Sequence, residues 1–102
     1  MIERVVMVRL RGDYRASAPL VARHTREVLG AVPEVRRIEV GVPADERTRR
    51  EWDVAILLRF DDLTAVERYR AGEVHRKYVD VYLRPMLDAI RVWNFESTGD
   101  PA

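Results

Sequence analysis

The sequence predicts an α+β domain whose elements run β-α-β-β-α-β. Three observations carry that prediction. Four short stretches (residues 3–10, 35–42, 52–60 and 89–96) are rich in β-branched and aromatic side chains, as strands are. Two longer stretches, starting near Ala18 and Leu63, repeat apolar residues at helical spacing. A length of 102 residues is enough for one domain and too short for two.

The first strand runs from Glu3 to Leu10, where Val5, Val6, Met7, Val8 and Leu10 make it apolar on both faces, the mark of a strand covered on both sides. Gly12-Asp13 ends it. A helix follows from Ala18, with Ser17 as N-cap and Pro19 in its first turn. Its apolar stripe is Leu20, Val21, Val28, Leu29 and Val32, and Pro33 stops it. His24 stands four residues from both Leu20 and Val28, which turns it toward the packed side as a boundary residue. In the second strand, residues 35–42, Ile38, Val40 and Val42 alternate with Arg37, Glu39 and Gly41. Residues 43–51 are highly charged and read as a solvated hairpin connection. The third strand puts Trp52, Val54, Ile56, Leu58 and Phe60 on one face and Asp53, Ala55, Leu57 and Arg59 on the other.

Asp61-Asp62 closes that strand and offers a cap for the second helix, whose stripe begins Leu63, Val66, Tyr69. Gly72 breaks this helix. It resumes to about Leu87, with Pro85 as a kink or last turn. Offsets of three and seven residues put His75, Tyr78 and Tyr82 on one helical face. Tyr69, six residues before His75, can turn toward the same space. The fourth strand, 89–96, carries Arg91, Trp93 and Phe95 on one face and Ile90, Val92 and Asn94 on the other. Residues 98–102 read as a frayed tail, leaving 1–97 as the domain.

This order is the ferredoxin-like, split βαβ arrangement: a four-stranded antiparallel sheet with both helices on one side. The other side of the sheet is also apolar, and the chain has no third layer to cover it. A second copy packed sheet against sheet would, by a two-fold contact, so periodicity predicts a homodimeric α+β barrel. A hydrophobic fraction of 47% argues against disorder, and eighteen basic against seventeen acidic residues, interspersed, argue against a nucleic-acid surface. The absence of cysteine excludes disulfides and thiolate chemistry. No apolar run approaches the ~18–20 residues of a membrane span, and the first residues run straight into a strand without a signal-peptide pattern. A cytoplasmic protein without membrane or nucleic-acid partners is expected.

With these elements placed, the chain resembles the stress-responsive dimeric α/β-barrel (Dabb) family over about residues 2–96. The resemblance rests on Ile2-Glu3-Arg4-Val5-Val6-Met7, Val32-Pro33-Glu34-Val35 with Gly41, Trp52-Asp53-Val54-Ala55 with Phe60-Asp61-Asp62-Leu63, and Tyr69, His75 and Leu83-Arg84-Pro85-Met86. It implies the fold and dimerisation. Its members range from stress proteins without assigned activity to small enzymes, among them a plant polyketide cyclase that closes the olivetolic acid ring by an aldol reaction without cofactor. That member uses a tyrosine and a histidine that match Tyr69 and His75 at the same spacing. Two departures stand out: the family's first-strand histidine is Arg4 here, and the first histidine and the proline of its His-Pro-x-His are Gly72 and Glu73.

Ring closure needs a base beside a carbonyl and a donor for the enolate. A neutral imidazole and a phenol supply them. His75 is therefore the candidate base and Tyr69 the candidate donor, with Tyr78, Tyr82 and Arg4 as candidate substrate contacts. No cofactor or metal is expected, because His24 and His75 fall on different helices with no carboxylate cluster spaced to join either. The expected ligand is a small apolar or polyketide-like molecule. Two alternatives stand beside this reading. One is a dimeric stress-responsive protein that binds without turnover. The other is a haem-binding barrel with His75 as axial ligand.

Overall fold

The computed structural model describes residues 1–98. Residues 99–102, most of the expected frayed tail, lie outside the described residues. The four strands are Ile2–Leu10 (β1), Arg37–Gly41 (β2), Val54–Phe60 (β3) and Leu87–Glu96 (β4), in one antiparallel sheet of order β2-β3-β1-β4. The helices are Ala18–Gly30 (α1), Glu46–Arg49 (α2), Leu63–Ala71 (α3) and Glu73–Lys77 (α4). The ferredoxin-like architecture is therefore present, with the main helices packed on one face.

That face is the core. β1 alternates strictly, with Ile2, Arg4, Val6, Val8 and Leu10 buried and the residues between them half-buried. Val54, Ile56, Leu58 and Phe60 extend the same surface on β3, and Val21 and Leu29 of α1 and Val66 and Tyr69 of α3 close over it. Burying each such aliphatic or aromatic side chain contributes about 1.5–3 kcal/mol, which is why the period-two pattern holds its register.

The opposite face runs in three rows across the strands. Phe95, Glu3, Arg59 and Arg37 form one row, Trp93, Val5, Leu57 and Glu39 the next, and Arg91, Met7, Ala55 and Gly41 the third. It carries an open apolar patch: Leu57 on β3 and Phe95 and Trp93 on the edge strand β4 are exposed, Trp93 to 46%. Charged pairs lie beside it, with Arg59 Nε 2.5 Å from Glu3 Oε1 and Arg37 paired to Glu39.

Several boundaries differ from the sequence expectation. Residues Gly12–Ser17 form a 3-10 turn that runs directly into α1, so Ser17 has near-helical torsions and its side chain caps nothing. The stripe of α1 is Ala18, Val21, Ala22, Thr25 and Leu29, while Leu20 is 61% exposed. Small residues face the sheet here, where α1 lies close to it, and a helix ending at Gly30 leaves Val32 in the turn beyond. Leu63 is likewise exposed, and Ala65 takes the inward position of α3. The charged 43–51 loop contains the one-turn α2, held by Asp45, which accepts from Thr48 N–H at 2.8 Å.

The third strand begins at Val54, and Asp53 just before it still donates its backbone N–H to the Val8 carbonyl at 2.8 Å. Its carboxylate is buried, accepting from Leu10 N–H at 2.8 Å and from Arg15 Nε at 3.0 Å. Arg15 in turn donates to the Arg49 carbonyl. One carboxylate thus ties together the end of β1, the 3-10 turn and the approach to β3. The largest departure lies after Gly72. The expected helix to Leu87 is α4, then a π-helical turn at Tyr78–Leu83, then a 3-10 turn at Arg84–Met86 containing Pro85. The fourth strand therefore starts at Leu87 instead of 89.

Candidate functional site

Asp62 starts the site by accepting from Ala65 N–H at 2.8 Å, capping α3 as its sequence position predicts. The helix brings Tyr69 inward in its last turn, where its ring lies 5.0 Å from Phe60. Gly72 is extended (φ −69°, ψ 154°), so the chain turns there and restarts as α4. A Cβ on Gly72 would stand 3.3 Å from the Arg68 carbonyl oxygen, a tight fit that favours glycine at this corner. The turn brings the half-buried His75 back over Tyr69, with ring centroids 4.6 Å apart.

Electrostatics fit the two to different tasks. Burial lowers the His75 pKa below its usual 6.5, favouring neutral imidazole, and the nearby Arg4 and Arg70 charges act in the same direction. The His75 Nδ1–H donates to the Arg70 carbonyl at 3.3 Å, which leaves Nε2 with the free lone pair. Tyr69 is 2% exposed, and burial pushes its hydroxyl pKa far up, keeping it a protonated donor. Beneath them Arg4 is 7% exposed and donates from Nη1 to Asn94 Oδ1 at 3.0 Å.

These three side chains line one cavity of about 40 Å³, with Val6, Ile56 and Leu58 below and Tyr78, Val79 and Leu83 at its side. That volume has room for a few waters. A larger open cleft of about 520 Å³, beside Arg15, Pro19, Arg49 and Arg50, contains none of the predicted site residues.

Tyr78 and Tyr82 separate. Tyr78 reaches the cavity wall, but its hydroxyl shares a 2.5 Å hydrogen bond with Thr25 Oγ1, and burial lifts its pKa to about 12. Tyr82 lies outside the cavity lining, its ring centroid 4.1 Å from His24 and 5.6 Å from Tyr78. The wider π turn changes the face that an α-helical offset of seven residues would give. His24 is half-buried against this ring, a boundary residue as its spacing indicated. Sequence reasoning missed Thr25 and Asn94. Asn94 had a signal, a polar residue following Ile90 and Val92 on one face of β4. Thr25 on an apolar helical face was a weaker one.

Among the described residues, no three His, Asp or Glu side chains are grouped to hold a metal ion, and no helix is long and apolar enough to cross a membrane.

The family model of the stress responsive A/B barrel domain matches residues 2–97. No curated protein matches the chain. Among solved structures, a Dabb family protein with a ferredoxin-like fold from Mesorhizobium loti is similar at TM-score 0.79 and 16% identity, over 96% of this chain and 97% of that one. A dimeric protein of unknown function from Bacteroides fragilis, also ferredoxin-like, is similar at TM-score 0.77 and 23% identity, covering 94% and 95%. An antibiotic biosynthesis monooxygenase is similar at TM-score 0.75 and 12% identity, covering 97% and 100%. At these identities the likeness is one of fold.

Proposed function

We propose, for a chain that belongs to the stress responsive A/B barrel domain family, a homodimeric barrel that binds a small molecule and carries out cofactor-free cyclisation or isomerisation. The observation that carries this reading is the His75–Tyr69 pair, 4.6 Å between ring centroids on the wall of one cavity. In it, His75 Nε2 takes a proton from the carbon beside a substrate carbonyl. The Tyr69 hydroxyl donates a hydrogen bond to the enolate oxygen that develops. The proton on His75 then returns to the product. A neutral imidazole and a protonated phenol are the states these roles need at pH 7, and burial favours both. The exposed apolar patch on the open sheet face supports the barrel, as do dimeric proteins of similar fold.

A panel of poly-β-ketone and 1,3-dicarbonyl probes, with products followed by mass spectrometry, tests the reading. His75→Ala is expected to lose roughly 10²- to 10⁴-fold in rate on whichever probe turns over, and Tyr69→Phe roughly 10²-fold or more. Full turnover by His75→Ala sinks the catalytic assignment. One observation favours a second reading, binding without turnover: the cavity measures only about 40 Å³, so a ketide chain enters only where the wall opens. Under that reading probes bind and none is converted.

A further inference from the structure

We infer that the ligand of this cavity is a compact organic acid whose carboxylate is held by Arg4. The inference rests on the cavity being the binding site and adds the charge of what enters it. Arg4 interrupts a β1 row that is otherwise Ile2, Val6, Val8 and Leu10, and it is as buried as they are, at 7% exposed. A buried guanidinium without a counter-charge is costly, by several kcal/mol of lost hydration, so its environment ordinarily supplies an anion. The partly buried arginines elsewhere in this fold have one: Arg15 stands 3.0 Å from Asp53, and Arg59 stands 2.5 Å from Glu3.

Arg4 has none among the described residues. Its protein partner is the neutral amide of Asn94, which occupies one of five N–H donors. The charged groups whose fields reach it are Glu67 and Arg70 of α3, which oppose one another and pair together at 3.3 Å. No buried side-chain nitrogen or oxygen among the described residues is sealed off without a partner, so the remaining Arg4 donors reach open space, and the cavity that Arg4 lines provides it.

The chemistry of that space selects the anion. A guanidinium presents paired, coplanar N–H groups that fit the two oxygens of a carboxylate. Beside Tyr69, His75 and Tyr78, the other walls are aliphatic, with Val6, Ile56, Leu58 and Leu83 among them. A singly charged, planar carboxylate on a short apolar body matches one cation in such a wall. A phosphate dianion would leave charge uncompensated. Tyr69, which lines the same cavity, adds a hydroxyl donor beside that space.

The test compares acetoacetate with acetoacetamide, which have nearly the same shape and differ by one charge, using saturation-transfer NMR titrations of the full chain at pH 7. The wild type is expected to bind acetoacetate at least ten times more tightly than the amide. Arg4→Met should abolish that preference while keeping the circular dichroism spectrum. Arg4→Lys should keep a reduced preference, because it retains the charge and loses the fork. Equal binding of the two probes by the wild type, or a preference that survives in Arg4→Met, overturns the assignment of charge while leaving the cavity reading intact. Failure of both probes to bind overturns both.

Discussion

Replacing Thr25 by Val and Tyr78 by Phe, singly and together, tests whether the Tyr78 hydroxyl belongs to the fold or to the ligand. Thr25 is fully buried, Tyr78 is nearly so, and their oxygens are 2.5 Å apart. Either single replacement leaves one buried hydroxyl without its partner, at a cost of about 1–3 kcal/mol. Thr25 sits mid-helix and can turn its hydroxyl back to the carbonyl of Val21, which places Tyr78→Phe nearer about 1 kcal/mol. Tyr78 has no such local carbonyl to fall back on, so Thr25→Val should cost about 2 kcal/mol. The double replacement removes both polar atoms and keeps both shapes, so its cost should be close to zero. The cycle thus predicts a coupling of about 3 kcal/mol.

The assay is urea unfolding of the four proteins at one fixed protein concentration, since dimerisation would enter the apparent stability. Midpoints should move while the slope stays constant, and each single variant should lose roughly 4–8 °C of Tm per kcal/mol. Costs that simply add, with coupling under about 0.5 kcal/mol, would refute the argument. Tyr78 would then be free to serve a substrate.

Two further outcomes follow from the geometry. Because burial lowers the His75 pKa, the folded protein disfavours imidazolium and the unfolded chain binds the proton first on acidification. The His75 contribution to stability is therefore fully present above the ordinary value of 6.5 and is lost as pH falls from there through the lowered native value. His75→Gln should flatten that part of the stability–pH curve, and the acid limb of kcat/KM on any productive probe should lie below 6.5; a limb above it would contradict the burial argument. Trp93→Arg places a charge in the exposed apolar patch of the open sheet face. Sedimentation velocity should show twice the chain mass for the wild type and a single chain mass for the variant, whereas a monomeric wild type would remove the barrel.

The sequence carried what depends on local chemistry. Period two identified the strands and their faces, Asp62 marked the start of α3, and Gly72 marked its end. The pairing of Tyr69 with His75 around that glycine was legible for the same reason, since one corner places both rings. What stayed hidden depends on distant partners. Asp53 looked like a residue of an outward strand face, yet it is drawn inside by Leu10 N–H, 43 residues away. The π turn at Tyr78–Leu83 has no composition of its own, and the bond from Tyr78 to Thr25 crosses 53 residues. Leu20 and Leu63 fit a helical stripe by spacing, but alanines fill the inward positions beside them. Buried Arg4 could be counted in the strand, but its want of a carboxylate among the described residues is a three-dimensional fact.

β4 has a consequence for how the protein behaves in concentrated solution. It is one of the two edge strands, and β1 satisfies the backbone groups of one side only. Its other margin leaves N–H and C=O groups open to a strand from another molecule, and Val92, Trp93 and Phe95 there are exposed. Asp88, Arg91 and Glu96 interrupt the apolar run, and charged side chains on an edge strand are the guard against stacking. With a net charge of only +1 near neutrality, that guard is thin, and mildly alkaline buffers that bring the net charge to zero weaken it further. Added salt screens what is left. Colloidal stability should improve with distance from neutral charge, in dilute buffer, by the same strand chemistry that builds the sheet.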